Sequence, residues 1–358
     1  MIRLLLLVLM ATFGCQSVKK IEKETVQKQY IGADQTVTAK NQYASIGLIK
    51  LSEYNFFSGS LSELNPNKNI FPYELNTSLF SDYALKRRFI YLPEGKKINY
   101  KAQEVLDFPV GTIIIKNFYY DRNQINQADQ KILETRLLIH EEKGWKALPY
   151  IWNKAQTEAF LEITGGKIPI TLTGKGNINY NVPDMNQCKS CHDRNGQMIP
   201  IGPTIRQLNR SYDANTSSPN QLVQMQELGW LKLPNSELPK LANWKDEKEL
   251  LDDRARAYLD INCAHCHNDF GPAKNSGLNL TIFETDNYRI GVNKKPVAAG
   301  RGSANLKYGI VPGNPNASIL LHRMITTEPG TMMPELGRTI QHDEGIALIK
   351  EWIEKMSI

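Results

Sequence analysis

Apolar and polar residues follow two different spacings along the chain, and the change between them divides it. From residue 46 to 180, short runs of β-branched and aromatic residues are separated by Gly and Pro, which predicts strands. The clearest runs are residues 88–92, 112–120, 134–140 and 168–173. Several short strands punctuated in this way predict an antiparallel sandwich or barrel for this β-rich domain.

Beyond residue 180 the spacing of apolar residues becomes helical. Ser218 as N-cap, followed by Pro219 and a run that ends at Gly229, predicts a short helix. Apolar residues also recur at helical spacing before Cys263 and in the final segment. The final stripe consists of Ile346, Ile349, Ile353 and Met356. The predicted class is α+β, with the β-rich domain at 46–180 followed by mainly helical regions at 181–245 and 246–358.

Composition places the chain among globular proteins, and its N-terminus predicts export. The 358 residues carry a formal net charge of +6 and are 41% hydrophobic, which is typical of a soluble protein with two or three domains. Arg3 precedes an apolar run that is far shorter than the ~20 residues of a spanning helix. We therefore expect a signal peptide at 1–14 and, because residues 15–45 are polar, a tether after it.

The end of the predicted signal peptide, Gly14-Cys15, resembles a bacterial lipobox. In that motif the cysteine becomes diacylated and forms the new N-terminus, so the resemblance implies lipidation at Cys15. Two acyl chains with an acylated amine suffice for stable anchoring. By the sorting rules of such lipoproteins, Gln16 implies the outer membrane. The expectation is an outer membrane lipoprotein that faces the periplasm and contacts the membrane through its lipid anchor.

Two copies of Cys-x-x-Cys-His lie in the helical regions, CKSCH at residues 188–192 and CAHCH at 263–267. Two thiols three positions apart on a tight turn can bond to the two vinyl groups of one haem. The adjoining histidine then becomes the proximal ligand of the iron. The motifs predict two covalently attached haem c groups. The attachment residues are Cys188, Cys191, Cys263 and Cys266, and the proximal ligands are His192 and His267.

Other uses of paired cysteines fit the sequence less well. A four-cysteine zinc site places its pairs roughly 15–20 residues apart, and the two pairs here lie much farther apart. Thioredoxin-like redox cysteines need a βαβ context, which is missing around both pairs. A disulfide within each pair suits an oxidising compartment, but it leaves His192 and His267 unexplained.

The region around the second motif resembles a class I cytochrome c. A helical pattern leads into Cys263, and Met333 stands directly before a proline, ahead of a final amphipathic segment. The resemblance implies that Met333 is the distal ligand of the second iron, with Met332 and His322 as competitors. Ligation by Met and His raises the reduction potential, which suits an electron carrier.

The sequence leaves the distal ligand of the first iron open. Met198, Met225 and His140 are the candidates, and Met225 also fits core packing on the apolar face of its helix. A five-coordinate iron is the remaining option. His265 points away from the iron that its own motif frames and receives no ligand role. His342 is placed at the start of the final helix.

Taken together, the chain resembles a bacterial family of diheme c-type cytochrome lipoproteins, some of which occur beside parallel β-helix repeat proteins. Besides the haem motifs, the resemblance rests on residues 80–87, 108–112, 134–137, 152–153, 200–203 and 208–210. It implies the haem content. The motifs in the β-rich domain carry no chemistry that can be read from the sequence.

The predicted function is electron transfer between periplasmic or membrane redox proteins through the two haems. The alternative is a peroxidase-like diheme oxidoreductase with one five-coordinate catalytic haem, and a third hypothesis is a redox sensor whose β-rich domain binds a partner. The basic residues between 289 and 307 are interpreted as a solvated surface, or as partners for haem propionates or an acidic protein. No motif supports nucleic-acid binding.

Overall fold

A computed structural model describes residues 46–127, 129–212, 218–297 and 299–357. The predicted signal peptide (1–14), the tether (15–45) and Cys15 lie outside the described residues and remain predictions. None of the helices in these ranges is long and apolar enough to cross a membrane.

A six-stranded antiparallel sheet organises the first half of the described chain, and its strands pair in sequence order. They are β3 (Ile70–Tyr73), β4 (Leu85–Tyr91), β5 (Ile113–Tyr120), β6 (Lys131–Glu141), β7 (Gly144–Trp152) and β8 (Ala159–Leu161). Three short hairpins accompany it. They pair β1 (Phe57–Ser58) with β2 (Asn65–Pro66), β9 (Gly166–Leu172) with β10 (Gly176–Val182), and β11 (Asp193–Arg194) with β12 (Gln197–Met198).

The second half is mainly helical. Its helices are α2 (Met185–His192), α3 (Ile205–Leu208), α4 (Gln221–Glu227), α5 (Leu251–Asn262), α6 (Asn287–Ile290), α7 (Ile319–Ile325) and α8 (Asp343–Glu354), and α1 (Arg122–Ile125) lies earlier, between β5 and β6. Short 3-10 turns occur at Leu51–Tyr54, Leu61–Glu63, Lys274–Ser276, Gly300–Ser303 and Pro315–Ala317. This combination of an antiparallel sheet with separate helices confirms the predicted α+β class.

The predicted sandwich or barrel is wrong, because the six strands form one open meander with β3 and β8 at its edges. Helices, rather than a second large sheet, cover much of one face. At one end of that face Ile90 and Ile114 pack with α3 and α4, and at the other end Phe118 packs with the β9–β10 hairpin. We call this side of the sheet the motif face, because it also borders both Cys-x-x-Cys-His motifs.

The helix predicted after Ser218 forms, but it begins later than expected. Asn220 is the N-cap, and its side-chain oxygen accepts a hydrogen bond of 2.9 Å from the backbone N–H of Leu222. An asparagine placed directly before the helix satisfies one of its unpaired N–H groups and so fixes where it begins. The helix then extends over Gln221–Glu227.

Helices α5 and α8 pack against each other and enclose a separate apolar core. Ile349 and Ile353 of the predicted C-terminal stripe are fully buried there, beside Leu259 of α5. The indole N–H of Trp352 donates a hydrogen bond of 2.7 Å to Asp252, which joins the two helices at their polar edge. His342 is the N-cap residue of α8, which confirms its predicted place at the start of the final helix.

Candidate haem-attachment site

The first motif lies on α2, and the residue before this helix sets its start. The carboxylate of Asp184 accepts a hydrogen bond of 2.8 Å from the backbone of Gln187, whose side chain accepts one in return. This capping box begins the helix three residues before the first cysteine. Residues three and four apart share one side of a helix. Cys188, Cys191 and His192 therefore lie side by side.

A tight hairpin follows His192 and holds its ring in place. Asn195 and Gly196 both have positive φ values, 52° and 81°, as a two-residue type I′ turn requires. The hairpin brings the carbonyl oxygen of Ile199 to 2.7 Å from Nδ1 of His192. A carbonyl can only accept, so Nδ1 carries the proton and donates, and the lone pair of the neutral ring lies on Nε2. A metal-binding histidine is typically oriented in this way.

The second motif lies directly after α5, and His267 is oriented by a different partner. Nδ1 of His267 lies 3.0 Å from the hydroxyl oxygen of Ser276. This hydroxyl donates its own proton to the carbonyl of Ala273 at 2.7 Å, so it accepts from the histidine. Nε2 of His267 therefore also carries the lone pair. Both predicted proximal histidines have the nitrogen that a haem iron would need available.

The four cysteines of the motifs are free thiols, and burial raises the pKa of each of them. The pKa reaches about 11 for Cys188 and about 12 for Cys263 and Cys266. No three His, Cys, Asp or Glu side chains of the described chain are placed to hold one metal ion. A haem c iron takes only one or two ligands from the protein.

The fold brings the two motifs together. Cys191 and His192 of the first motif line the same cleft, of about 260 Å³, as Ala264 and His265 of the second. The turn after the first motif is bonded to the chain after the second, because the backbone N–H of Asn195 donates to the Phe270 carbonyl at 2.9 Å. Spacing along the sequence did not predict this arrangement, since the pairing depends on how α2 and α5 dock on the sheet.

A row of basic side chains on the motif face borders the first motif. Arg88, Lys116 and Arg136 stand opposite one another on β4, β5 and β6. Lys116 and Arg136 are close enough to lower the pKa of both Cys191 and His192, although burial has the larger effect on each pKa and raises that of Cys191. Like charges directly opposite in a sheet repel each other. The row therefore favours a negatively charged neighbour.

Two of the cations at this face are not neutralised by the protein. Arg88 pairs with Glu74 at 2.9 Å, and Arg136 donates to Glu134 at 2.8 Å. The other two are Lys116 on β5 and Lys86, which lies two residues before Arg88 on β4. Neither has a carboxylate at ion-pair distance among the described residues. Burial, reinforced by the neighbouring cations, lowers the pKa of both lysines well below the usual range.

The sequence alone does not reveal this row, and the basic residues that it singles out lie between 289 and 307. There, Arg289 contacts Asp269 and Glu284, and Arg301 contacts Glu328, so local acids offset much of the charge. A usable signal was present in the strands. Lys116 stands in a run dominated by isoleucine and aromatic residues, and such a run is typical of a strand that is covered on both faces.

The loop that carries Met333 borders the second motif and is held by one arginine. Arg338 is only 5% exposed, and its guanidinium donates to the carbonyls of residues 323, 326, 333 and 340. The backbone N–H of Met333 donates to the Arg323 carbonyl at 2.8 Å. Glu335 and Arg338 lie close enough to affect the pKa of Cys266 and Cys263 respectively. Met333 is thus brought to the neighbourhood of the second motif.

The segment 80–87 of the β-rich domain, for which the sequence indicates no chemical role, connects the sheet to this second motif. The backbone N–H of Phe80 donates to the side chain of Asn262, directly before Cys263, at 2.8 Å. The buried carboxylate of Asp82 accepts from the backbone N–H groups of Thr339 and Ile340 at 2.6 and 3.0 Å. These contacts hold both the helix before the motif and the end of the Met333 loop against the sheet.

Comparison with protein-family models, with curated proteins and with solved structures finds no match to this chain. The fold and the site therefore rest on the chain's own residues.

The candidates for the first distal ligand lie outside the lining of the cleft. Met225 is fully buried in the core between the sheet and α4. His140 is stacked on Trp145 and bonded through Nδ1 to the Phe108 carbonyl at 2.8 Å. Met198 pairs with Asp193 in the hairpin after α2 and is not among the residues that line the cleft.

The remaining histidines have different surroundings. The ring of His342 stacks on Phe80 with centroids 4.1 Å apart, and its Nδ1 lies 2.9 Å from the Tyr258 hydroxyl. His322, a competitor for the second iron, is half-buried on α7. His265 lines the cleft, and its buried Nδ1 has no partner in hydrogen-bond geometry, although the Ile261 backbone is nearby.

Proposed function

We propose that this protein is a diheme c-type cytochrome that transfers electrons between redox partners. The observation that carries the proposal is that two Cys-x-x-Cys-His motifs meet at one cleft with both histidines oriented alike. In each motif Nδ1 donates to a fixed oxygen and Nε2 keeps its lone pair. Two isolated cysteine pairs with unrelated roles would not require this shared orientation.

The residues present fit a haem c at each motif. The thiols of Cys188 and Cys191 would form the thioether bonds at the first site, and those of Cys263 and Cys266 would do so at the second. His192 and His267 would be the proximal ligands. A bound haem iron supplies reversible one-electron exchange. The protein's part is to orient the two imidazoles and to exclude water.

The two uncompensated lysines on the motif face add a charge argument. A buried ammonium group without a partner is unfavourable, and a carboxylate beside it removes much of that cost. Haem carries two propionate carboxylates, and among the described residues Lys86 and Lys116 are cations of this face without an ion pair. We assign Lys116, supported by Arg136, to a propionate of the first haem, because both side chains lie close enough to Cys191 and His192 to affect their pKa.

Met333 is the proposed distal ligand of the second iron. Its thioether is a soft ligand, and Met/His ligation raises the reduction potential. The carbonyl hydrogen bonds of Arg338 fix the loop that presents it. The second haem would then be the higher-potential member of the pair, and the shared cleft would let the two irons exchange electrons within one chain.

The proposed partners are periplasmic or membrane redox proteins, and the proposed location is the outer membrane, facing the periplasm. This part rests on the predicted lipidation of Cys15. Cys15→Ala should release the protein from washed membranes, whereas Cys188→Ala, which keeps Cys15, should leave it bound. Unchanged membrane association of the Cys15 variant would contradict the anchor.

Haem content is the direct test of the main proposal. The protein would be matured together with a c-type haem assembly system and examined by a pyridine haemochrome assay. We expect two haems per chain that remain with the polypeptide after acid-acetone extraction. Extractable haem, or none, would reject the proposal.

The peroxidase-like alternative keeps one specific observation in its favour. None of Met198, Met225 and His140 lines the cleft beside His192. An iron bound to His192 would therefore receive no second ligand from these three residues. A high-spin iron that binds cyanide and turns over peroxide would support the enzyme. Two low-spin irons without peroxide turnover would support the carrier.

A further inference from the structure

His265 occupies an unusual position, between the two cysteines of the second motif but facing the first. It lines the same cleft as Cys191 and His192. Its ring is close enough to both His192 and His267 for its charge to affect either of them. The second motif therefore contributes His267 and also a second histidine that lines the cleft beside the first motif.

The Nδ1 atom of His265 has no well-formed hydrogen bond. It is buried and has no partner in hydrogen-bond geometry among the described residues, although the backbone of Ile261, one helical turn earlier, is nearby. Buried polar atoms are nearly always paired, so an unpaired one in a cleft indicates a missing partner. A histidine that served packing alone would resemble His140, which is bonded to a carbonyl and stacked on an indole.

The cleft offers few other residues that could bind an iron opposite His192. Met225 is enclosed in the sheet–helix core, and Met198 lies in the hairpin after His192 and does not line the cleft. The remaining lining includes Arg206, which forms an ion pair with Asp260 at 3.0 Å. This carboxylate also accepts from the backbone N–H of Ile282, so it is already occupied.

We propose that His265 is the distal ligand of the haem attached at Cys188 and Cys191, so that the second motif closes the first site. This assignment rests on the proposed function, because it needs haem at the first motif. The first haem is then bis-histidine ligated, and the second keeps Met333. Since a methionine ligand raises the potential relative to histidine, two haems bound in this way would favour electron transfer from the first site to the second.

The assignment also excludes peroxide chemistry at the first iron, because a bis-histidine iron has no open face. His265 couples the two sites structurally as well. A change in the turn that carries Cys263 and Cys266 must move a ligand of the neighbouring iron. This structural coupling would not hold if Met198, Met225 or His140 were the ligand, because none of them belongs to the second motif.

The test compares spin states in the haem-loaded full-length protein and in His265→Ala. In the native protein we expect two low-spin ferric haems by electron paramagnetic resonance. In the variant we expect one haem per chain to become high-spin while the Met-type absorption of the second persists. Added imidazole should restore the low-spin signal, which a merely structural role of the side chain would not allow.

Two further variants complete the design. His265→Met should keep both irons low-spin and raise the potential of the lower-potential haem, while His140→Ala should change neither spectrum nor potential. The assignment is overturned if His265→Ala leaves both haems low-spin at unchanged potentials, or if the haem that changes is the Met-type one. Haem stoichiometry is measured in every sample, so that a chain without covalent haem rejects the proposed function itself.

Discussion

The two motif regions reach the same local arrangement by different structural means. The first motif lies on a capped helix that packs against the sheet, and a two-residue hairpin orients His192. The second follows a longer helix packed on α8, and a serine in a loop orients His267. The first site thus depends on the sheet for its shape and charge, whereas the second depends on helices. The imidazole orientation is the same at both motifs, as the proposed metal ligation would require, although the supporting folds differ.

The largest expected effect comes from removing one cysteine pair at a time. Cys188→Ala with Cys191→Ala should leave one haem per chain, low-spin and of the Met type. Cys263→Ala with Cys266→Ala should also leave one haem, and the Met-type absorption should be lost. Haem stoichiometry and visible spectra check both results. If the two double variants gave the same remaining spectrum, the proposed difference between the sites would be wrong.

The second effect concerns the loop at the second site alone. Met333→His should keep that iron low-spin but lower its reduction potential by an appreciable part of the roughly 0.8 V range that axial ligands span. The first haem should not change. A spectroelectrochemical titration resolves the two potentials, with Met332→Ala as the matched control. A shift produced by Met332→Ala instead would transfer the ligand role to that residue.

The third effect separates the histidines of the sites from the structural one. Burial lowers the pKa of His192, His265, His267 and His342 to about 4 in the haem-free fold. Since an unfolded histidine titrates near 6.5, the unfolded chain takes up protons first as pH falls. Stability should be complete above about pH 6.5 and decline toward pH 4.

Urea unfolding of haem-free and haem-loaded protein across that interval measures this decline. The loaded protein should lose less stability, because iron-bound histidines do not take up protons. His342→Gln should reduce the acid sensitivity that remains, since a neutral amide replaces the only one of the four without a proposed iron. Equal acid sensitivity with and without haem would contradict the ligand assignments.

The smallest expected effect concerns the charge at the first site. In the haem-free protein, Lys116→Met should raise the free energy of unfolding by about 1 kcal/mol, because it removes a half-buried ammonium group that has no carboxylate at ion-pair distance. In the loaded protein the same change should lower the potential of the first haem, since a positive charge favours the reduced iron. Lys295→Met, at an exposed position, should alter stability by less than about 0.5 kcal/mol. Destabilisation by Lys116→Met without haem would contradict the assigned role.

Local chemistry in the sequence predicted much of the second region and less of the first. The apolar stripe of α8, the position of His342 and the α+β class could be predicted because each depends on nearby residues. The open meander could not be predicted. Each strand shows the same alternation of apolar and polar residues whether helices or a second sheet cover its face. The role of Asp82 was hidden for a similar reason, because its partners, Thr339 and Ile340, are distant in sequence.

The close approach of the two motifs was the feature that the sequence alone indicated least. His265 was given no ligand role because it points away from the iron of its own motif, and the structure places it in the cleft of the other. Lys116 was overlooked because it sits in a run dominated by isoleucine and aromatic residues. In both cases the information lies in the docking of separate elements.

Burial of the attachment cysteines also bears on the order of events during maturation. Cys188 is only 6% exposed, on a helix that packs against β7. A thiol in that position cannot reach a vinyl group brought from solvent unless α2 first leaves the sheet. If haem is attached at Cys188 as proposed, it must therefore be joined to the chain before the β-rich domain and the helices close on each other. Folding that runs ahead of attachment would trap a chain that no longer accepts its cofactor.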